Sequence, residues 1–366
     1  MAEDTKKVKK PILNYINVFR GLAILLILAG HTMQIGAVGS LTRAVSREIW
    51  AGGTVLFVFI AGFLFEYLSH KFEYKDYLSK KWTNVILPYI FTAIPGIILC
   101  FAMPVAYGNP FAEYNPLVQI GVFLTTGRVH NVPAWFIPMI VIFFFLSMLL
   151  LKAEKKGILF KLLPIALVVT CIFPRQDIEP YMVADFDFWG KYSAYLMYVL
   201  HGFVHFFSSY VGGMYLAANI DKVDKMYSWR HLLLVATILT AIVDVYLLQN
   251  FGVSNGSVSK IFFTVWSLVM LKHYNDFFDK HPRINSFMDI CAKYSFGLFF
   301  IHWYYVFAFR CLTGAPAVAQ GGLIQASCVA TARYLFVFVA SFVTLWLIKT
   351  VLNKIGQKNT RKFIGV

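Results

Sequence analysis

Apolar residues in this chain come in runs of about twenty, broken by short stretches where Lys and Arg gather. The runs do not alternate with polar residues as half-buried strands would. Even Phe143-Phe144-Phe145 sits in a run too long for a strand, so the pattern predicts helices. Ten spans can be drawn, at about 13–35, 50–68, 85–104, 133–151, 158–174, 192–217, 231–249, 258–272, 295–312 and 327–349. Lipid offers no partner for free backbone groups, so successive apolar segments of this length predict an all-α polytopic membrane bundle. An even number of spans returns the chain to the side on which it started.

Composition supports that reading. The chain has 366 residues, 59% apolar and 14% charged, with a mean hydropathy of +0.65, whereas soluble domains are about a quarter charged. The net charge of +15 would suit a nucleic-acid partner, but its distribution argues otherwise. Connecting segments on the N-terminal side hold 24 Lys and Arg, and those on the other side hold 6. That bias predicts both termini in the cytoplasm, with 1–12 and 350–366 as basic tails, and accounts for the charge without nucleic acid. Lys6, Lys7, Lys9 and Lys10 resemble a secretory n-region, yet the following run is too long and contains Arg20, so a retained first helix is expected. One domain over 1–366 with no appended soluble domain is expected. Five cysteines lie in or beside apolar runs with no Cys-x-x-Cys pair, which suits packing rather than disulfides or metal.

Polar residues inside the spans are the candidates for chemistry, because lipid makes them expensive. Arg20 and His31 are eleven positions apart in the first span, which places them on one helix face roughly 16 Å apart. An arginine presents a planar fork suited to phosphate or carboxylate, and a histidine serves as a base near neutral pH. Asp244 is a carboxylate inside an apolar run, and His302 lies deeper than an interfacial residue should. His201 and His205 have metal-pair spacing but no third ligand, so hydrogen bonding or packing is expected and no metal. Lys80-Lys81 closes a basic loop, Trp135 opens the fourth span, and the segment from Val105 to Pro133 contains His130 and is long for a connection.

These residues carry a resemblance. Arg20-Gly21 followed at a distance by His31 is similar to the first-helix motif of the acyltransferase-3 family of integral membrane acyltransferases. Phe57-Val58-Phe59-Ile60-Ala61-Gly62-Phe63-Leu64 resembles its second-helix pattern, with Ala61 where a serine is usual. Tyr77-Leu78-Ser79-Lys80-Lys81 through Leu87-Pro88-Tyr89 resembles its basic loop, Pro133-Ala134-Trp135-Phe136-Ile137 its "WFL" segment, and Tyr294-Ser295-Phe296-Gly297-Leu298-Phe299-Phe300-Ile301-His302 its late stretch. The order holds over nearly the whole chain and looks most like the single-domain, polysaccharide-modifying branch. Members commonly carry arginines four and seven residues before the proline; here those positions are Asn84 and Lys81.

The resemblance implies transfer of an acyl group, most often acetyl from acetyl-CoA, to a hydroxyl of an envelope glycan or lipid-linked saccharide outside a bacterial cytoplasmic membrane. His31, Arg20 and Asp244 are then the expected catalytic residues. Arg20, Lys80 and Lys81 would hold acyl-CoA from the cytoplasm, while Trp135, His130 and His302 would meet the acceptor outside. Polar residues lining a path would also serve a saccharide transporter or flippase, the competing expectation. A purely structural membrane subunit leaves Arg20, His31 and Asp244 unexplained.

Overall fold

A computed structural model of the chain describes residues 13–103, 109–127, 134–174, 187–316 and 318–366. Its main helices, in chain order, are α1 (Asn14–Thr32), α2 (Leu41–Trp50), α3 (Gly53–Tyr67), α4 (Tyr74–Lys81), α5 (Leu87–Ala102), α6 (Pro116–Thr126) and α7 (Phe136–Lys155). They continue as α8 (Leu163–Ile172), α9 (Phe188–Ala218), α10 (Arg230–Phe251), α11 (Ser257–His273), α12 (Pro282–Thr313), α13 (Leu323–Lys354) and α14 (Arg361–Ile364). No strand occurs among the described residues. The chain is an all-α polytopic bundle.

Each expected span is occupied by a helix: α1, α3, α5, α7, α8, α9, α10, α11, α12 and α13. Seven segments are long and apolar enough to cross a membrane by themselves. The other three spans are α8, α9 and α11. At ten residues α8 rises only about 15 Å, and the 31 residues of α9 are diluted by Gly, Ser, Tyr and His. Helices also lie where the pattern reads as connection, α2 and α6 among them. Short α2 is capped by Ser40, whose Oγ accepts the Arg43 amide at 3.2 Å. It buries Ala44, Ser46 and Glu48 while Leu41, Val45 and Ile49 point away from the bundle, the arrangement of an interfacial helix. The segment Val105–Pro133 contains α6, capped by Asn115.

Between helices in lipid there is no water to expel, so close backbone approach governs packing. α3 and α9 cross where both lack a side chain. A Cβ on Gly62 would lie 2.0 Å from the Tyr210 carbonyl oxygen, and one on Gly213 2.1 Å from that of Phe59. α1 sits centrally, packed against α3, α11, α12 and α13. It runs in the same direction as α12: Gly21 lies against Met288, and His31 further along lies against His302. Gly21 permits this, since a Cβ there would be 2.7 Å from the Met288 carbonyl oxygen. At the periphery, α10 buries only Asp244. α13 buries the stripe Ala326, Ala330, Arg333, Val337, Ser341 and Leu345 at helical spacing.

Gly213→Ala should therefore lower the thermal unfolding midpoint and the monodisperse yield in detergent, because overpacking a backbone contact costs about 1–3 kcal/mol or more. Gly121→Ala, on an α6 position with nothing within 4 Å, should leave both unchanged or improved. Equal behaviour of the two variants would refute the close crossing.

Candidate active site

The polar residues of α1 both turn toward α12. At one end of the seam, Arg20 Nη2 donates to the Ala292 carbonyl at 3.1 Å and to Ser295 Oγ at 3.4 Å. Ser295 Oγ itself donates to the same carbonyl at 2.8 Å. Arg20 is half-buried, and Ser295 is fully buried. Lys81 belongs to this end. Its ammonium lies 5.0 Å from the Tyr77 ring centre and 4.7 Å from that of Phe144, which holds the cation over two aromatic faces, with no carboxylate in ion-pair range among the described residues. Lys80 is exposed in the last turn of α4. Past Lys81 the backbone widens into a π-turn at Trp82–Ile86, in which Asn84 Nδ2 donates to the Lys80 carbonyl at 2.8 Å. Such turns recur at functional sites because they redirect side chains.

At the other end of α1, the His31 ring centre lies 5.2 Å from that of His302 and 5.1 Å from that of Trp303, edge to face. His302 is fully buried. Its Nδ1 faces the carbonyls of Leu298 (3.0 Å) and Phe299 (2.8 Å), so Nδ1 carries the proton. Nε2 is then a bare acceptor, buried and with no hydrogen-bond partner among the described residues. His31 is half-buried and so the more accessible of the pair. A chain of rings leads outward from His302 through Phe299 and Phe136 to Trp135, with successive centres 6.2, 5.3 and 6.3 Å apart. Trp135 is buried against Tyr198 and Phe206 of α9.

The structure thus brings Arg20, His31 and His302 onto one seam and Lys81 to its Arg20 end. Asp244 is placed elsewhere, on α10, where it holds the turn that follows the helix: Ser254 Oγ donates to it at 2.9 Å, and so does the Asn255 amide. His130 lies outside the described residues. His205 is consumed by structure, with Nδ1 2.8 Å from the Phe173 carbonyl and Nε2 2.8 Å from Ser257 Oγ.

Two features near His31 escape a reading of the sequence alone. Arg333 is completely buried, and its Nε donates to the Thr32 carbonyl at 3.1 Å, closing the end of α1. Its signal was its place in the small-residue stripe of α13. A polar cavity of about 120 Å³ lies at the same end, lined by Arg47, Glu48, Ser254, Ser257 and Lys260 among others. Glu48 pairs there with Lys260 at 3.4 Å. It is tied to α1 through Gly30, where a Cβ would lie 3.1 Å from the Trp50 carbonyl oxygen of α2.

A hydrogen-bonded cation, an imidazole pair and a transmembrane seam joining them suit transfer of a group between two sides of a membrane. Neither curated proteins nor solved structures return a match to the chain. The family model described as an acyltransferase domain matches residues 13–350, nearly the whole chain, which contains every motif placed above. The chain belongs to the acyltransferase-3 family, and it is a multi-pass membrane acyltransferase.

Proposed function

We propose that this enzyme moves an acetyl group from acetyl-CoA to a hydroxyl of an extracytoplasmic saccharide of the cell envelope, with its Arg20 end in the cytoplasm of a bacterium. One observation carries the reading: Arg20 and His31 both face α12, with Ser295 at one end of the seam and His302 at the other. The orientation follows from the basic bias of the segments at the Arg20 end. Arg20 and Lys81 would hold the phosphates of the donor, the first through its fork and the second as a point charge. Lys80, at the mouth, would steer the polyanion inward.

In the chemical step His31 accepts the proton of the acceptor hydroxyl. The oxygen attacks the thioester carbonyl, a C–O bond forms, the C–S bond breaks, and CoA leaves as a thiolate that His31 reprotonates. His302, with its proton committed to backbone carbonyls, offers Nε2 to a neighbouring hydroxyl of the same saccharide. Trp135 gives a ring face at the outer end, and His130 remains an acceptor candidate by its sequence position. Asp244 acts by shaping the outer turn that borders the polar cavity.

His31→Gln should lower acetyl transfer by about 10²–10⁴-fold while leaving donor binding intact. Radiolabelled acetyl-CoA and membranes with matched protein levels give the measurement, with the O-acetyl content of the envelope polysaccharide as the cellular readout. Normal acetylation in this variant would remove His31 from the chemistry. Arg20→Gln should raise the donor KM on the order of tenfold and leave acceptor KM nearly unchanged, the loss of one charge-assisted contact. A reversed pattern would invert the proposed sidedness. Saccharide transport by the purified protein without acyl transfer would favour the flippase reading instead.

A further inference from the structure

The basic segment after α13 reads as a solvated tail, but it folds back into the bundle. Thr360 and Ile364 are buried, and Thr360 Oγ1 donates to the main-chain oxygen of Val366 at 2.5 Å. α14 packs against α5 and the π-turn that begins after Lys81. Phe363 meets Phe91 of α5 with ring centres 5.3 Å apart. Its other side meets α12 at Gly297, where a Cβ would lie 2.6 Å from Val366 Cγ2 and 2.8 Å from the Ile364 carbonyl oxygen. Gly365, at φ +74°, closes the fit against Phe296. The wedge therefore lies two residues along α12 from Ser295, the partner of Arg20.

We propose that Arg361 is a third cation of the donor site and binds the phosphates of acyl-CoA together with Arg20 and Lys81. This rests on the donor reading given above. Arg361 is exposed and opens α14, which packs against the π-turn after Lys81 and, through Ile364 and Val366, against Gly297, two residues from the Arg20 partner Ser295. Among the described residues no carboxylate lies within ion-pair distance of any of the three. Asp289 offsets the mutual repulsion of these cations only in part, at Arg20, and an anion shared among the three would offset the rest. The loop itself supplies only a lysine, because Asn84 is bonded to the Lys80 carbonyl. A second planar fork beside that of Arg20 thus comes from the tail. Arg361 lies beyond residue 350, where the family match ends, so this contribution belongs to the chain rather than to the shared domain.

The test uses the full chain in nanodiscs, titrated with CoA, with 3′,5′-ADP and with pantetheine, which has the arm of CoA without its phosphates. Arg361→Gln should weaken CoA and 3′,5′-ADP about tenfold and leave pantetheine unchanged, with the kinetic loss falling on donor KM. Arg361→Lys, which keeps the charge, should restore part of the affinity. Lys358→Gln, an exposed tail position, should have no effect. Unchanged CoA affinity in Arg361→Gln, when Arg20→Gln loses it, overturns the proposal and leaves the donor reading standing. An equal loss in Lys358→Gln overturns it too, since bulk tail charge would then suffice. If the unmodified protein binds neither CoA nor 3′,5′-ADP, the donor reading fails and this proposal falls with it.

Discussion

An arginine within an apolar helix needs acceptors, and α1 finds them on α12. At the centre of a lipid-spanning helix an arginine costs roughly 2.5–3.5 kcal/mol. Hydrogen bonds from a charged donor return about 1.5–3 kcal/mol each. The 3.1 Å bond to the Ala292 carbonyl, with the longer one to Ser295, is thus of the right size to offset the placement. Both bonds come from Nη2, and no further hydrogen bond of the fork occurs among the described residues. The same pairing fixes the rotation of α1, and eleven residues later that rotation delivers His31 to His302. One local satisfaction therefore sets the geometry of both ends of the seam.

Most of the architecture was legible because lipid removes options: each apolar run had to be a helix, and all ten spans are. What the pattern missed were elements that obey other rules. α2 is ten residues long and charged, and it lies at an edge, so it gave no spanning signal. α6 is announced only by its cap, Asn115-Pro116. Arg20, His31 and His302 were readable by their cost, and the structure assembles them. Arg333 was not, since a cation near the start of a span reads as a snorkelling residue; its burial depends on Thr32, three hundred residues away in sequence. Arg361 was hidden for a similar reason. A basic tail looks solvated until Gly297 is seen to make room for it.

The bundle divides into a rigid half and a chemical half. α3 and α9 meet backbone to backbone at Gly62 and Gly213. α1 and α12 meet through Gly21 and carry Arg20, Ser295, His31 and His302 along their seam. Close packing holds the first pair in one arrangement, whereas hydrogen bonds and rings hold the second. Peripheral α10 and α13 contribute mostly lipid-facing surface, apart from Asp244 and the Arg333 stripe. The Arg20 and His31 ends of the seam thus share one helix pair, so a tilt of α1 against α12 would alter both at once.

The end near His31 has its own constraint. Glu48 and Lys260 are mostly removed from water, and a buried ion pair rarely repays its desolvation by Coulomb attraction alone. It is sustained here by further bonds: Ser259 Oγ donates to the Glu48 carboxylate, and Lys260 Nζ also reaches the Glu48 carbonyl. Asp244 ties the neighbouring turn through Ser254 and Asn255, and Asn255 Nδ2 reaches across to the Thr170 carbonyl at 2.7 Å. Breaking any one partner would leave a buried charge exposed to apolar surroundings, so the cluster is most stable when complete. A network of this kind holds α2, α10 and α11 in register around the polar cavity. With Gly30 pressed against Trp50, it also holds the mouth above His31 in a defined shape. The shape of this end is thus set by the frame of α2, α10 and α11, and that of the seam by α1 and α12.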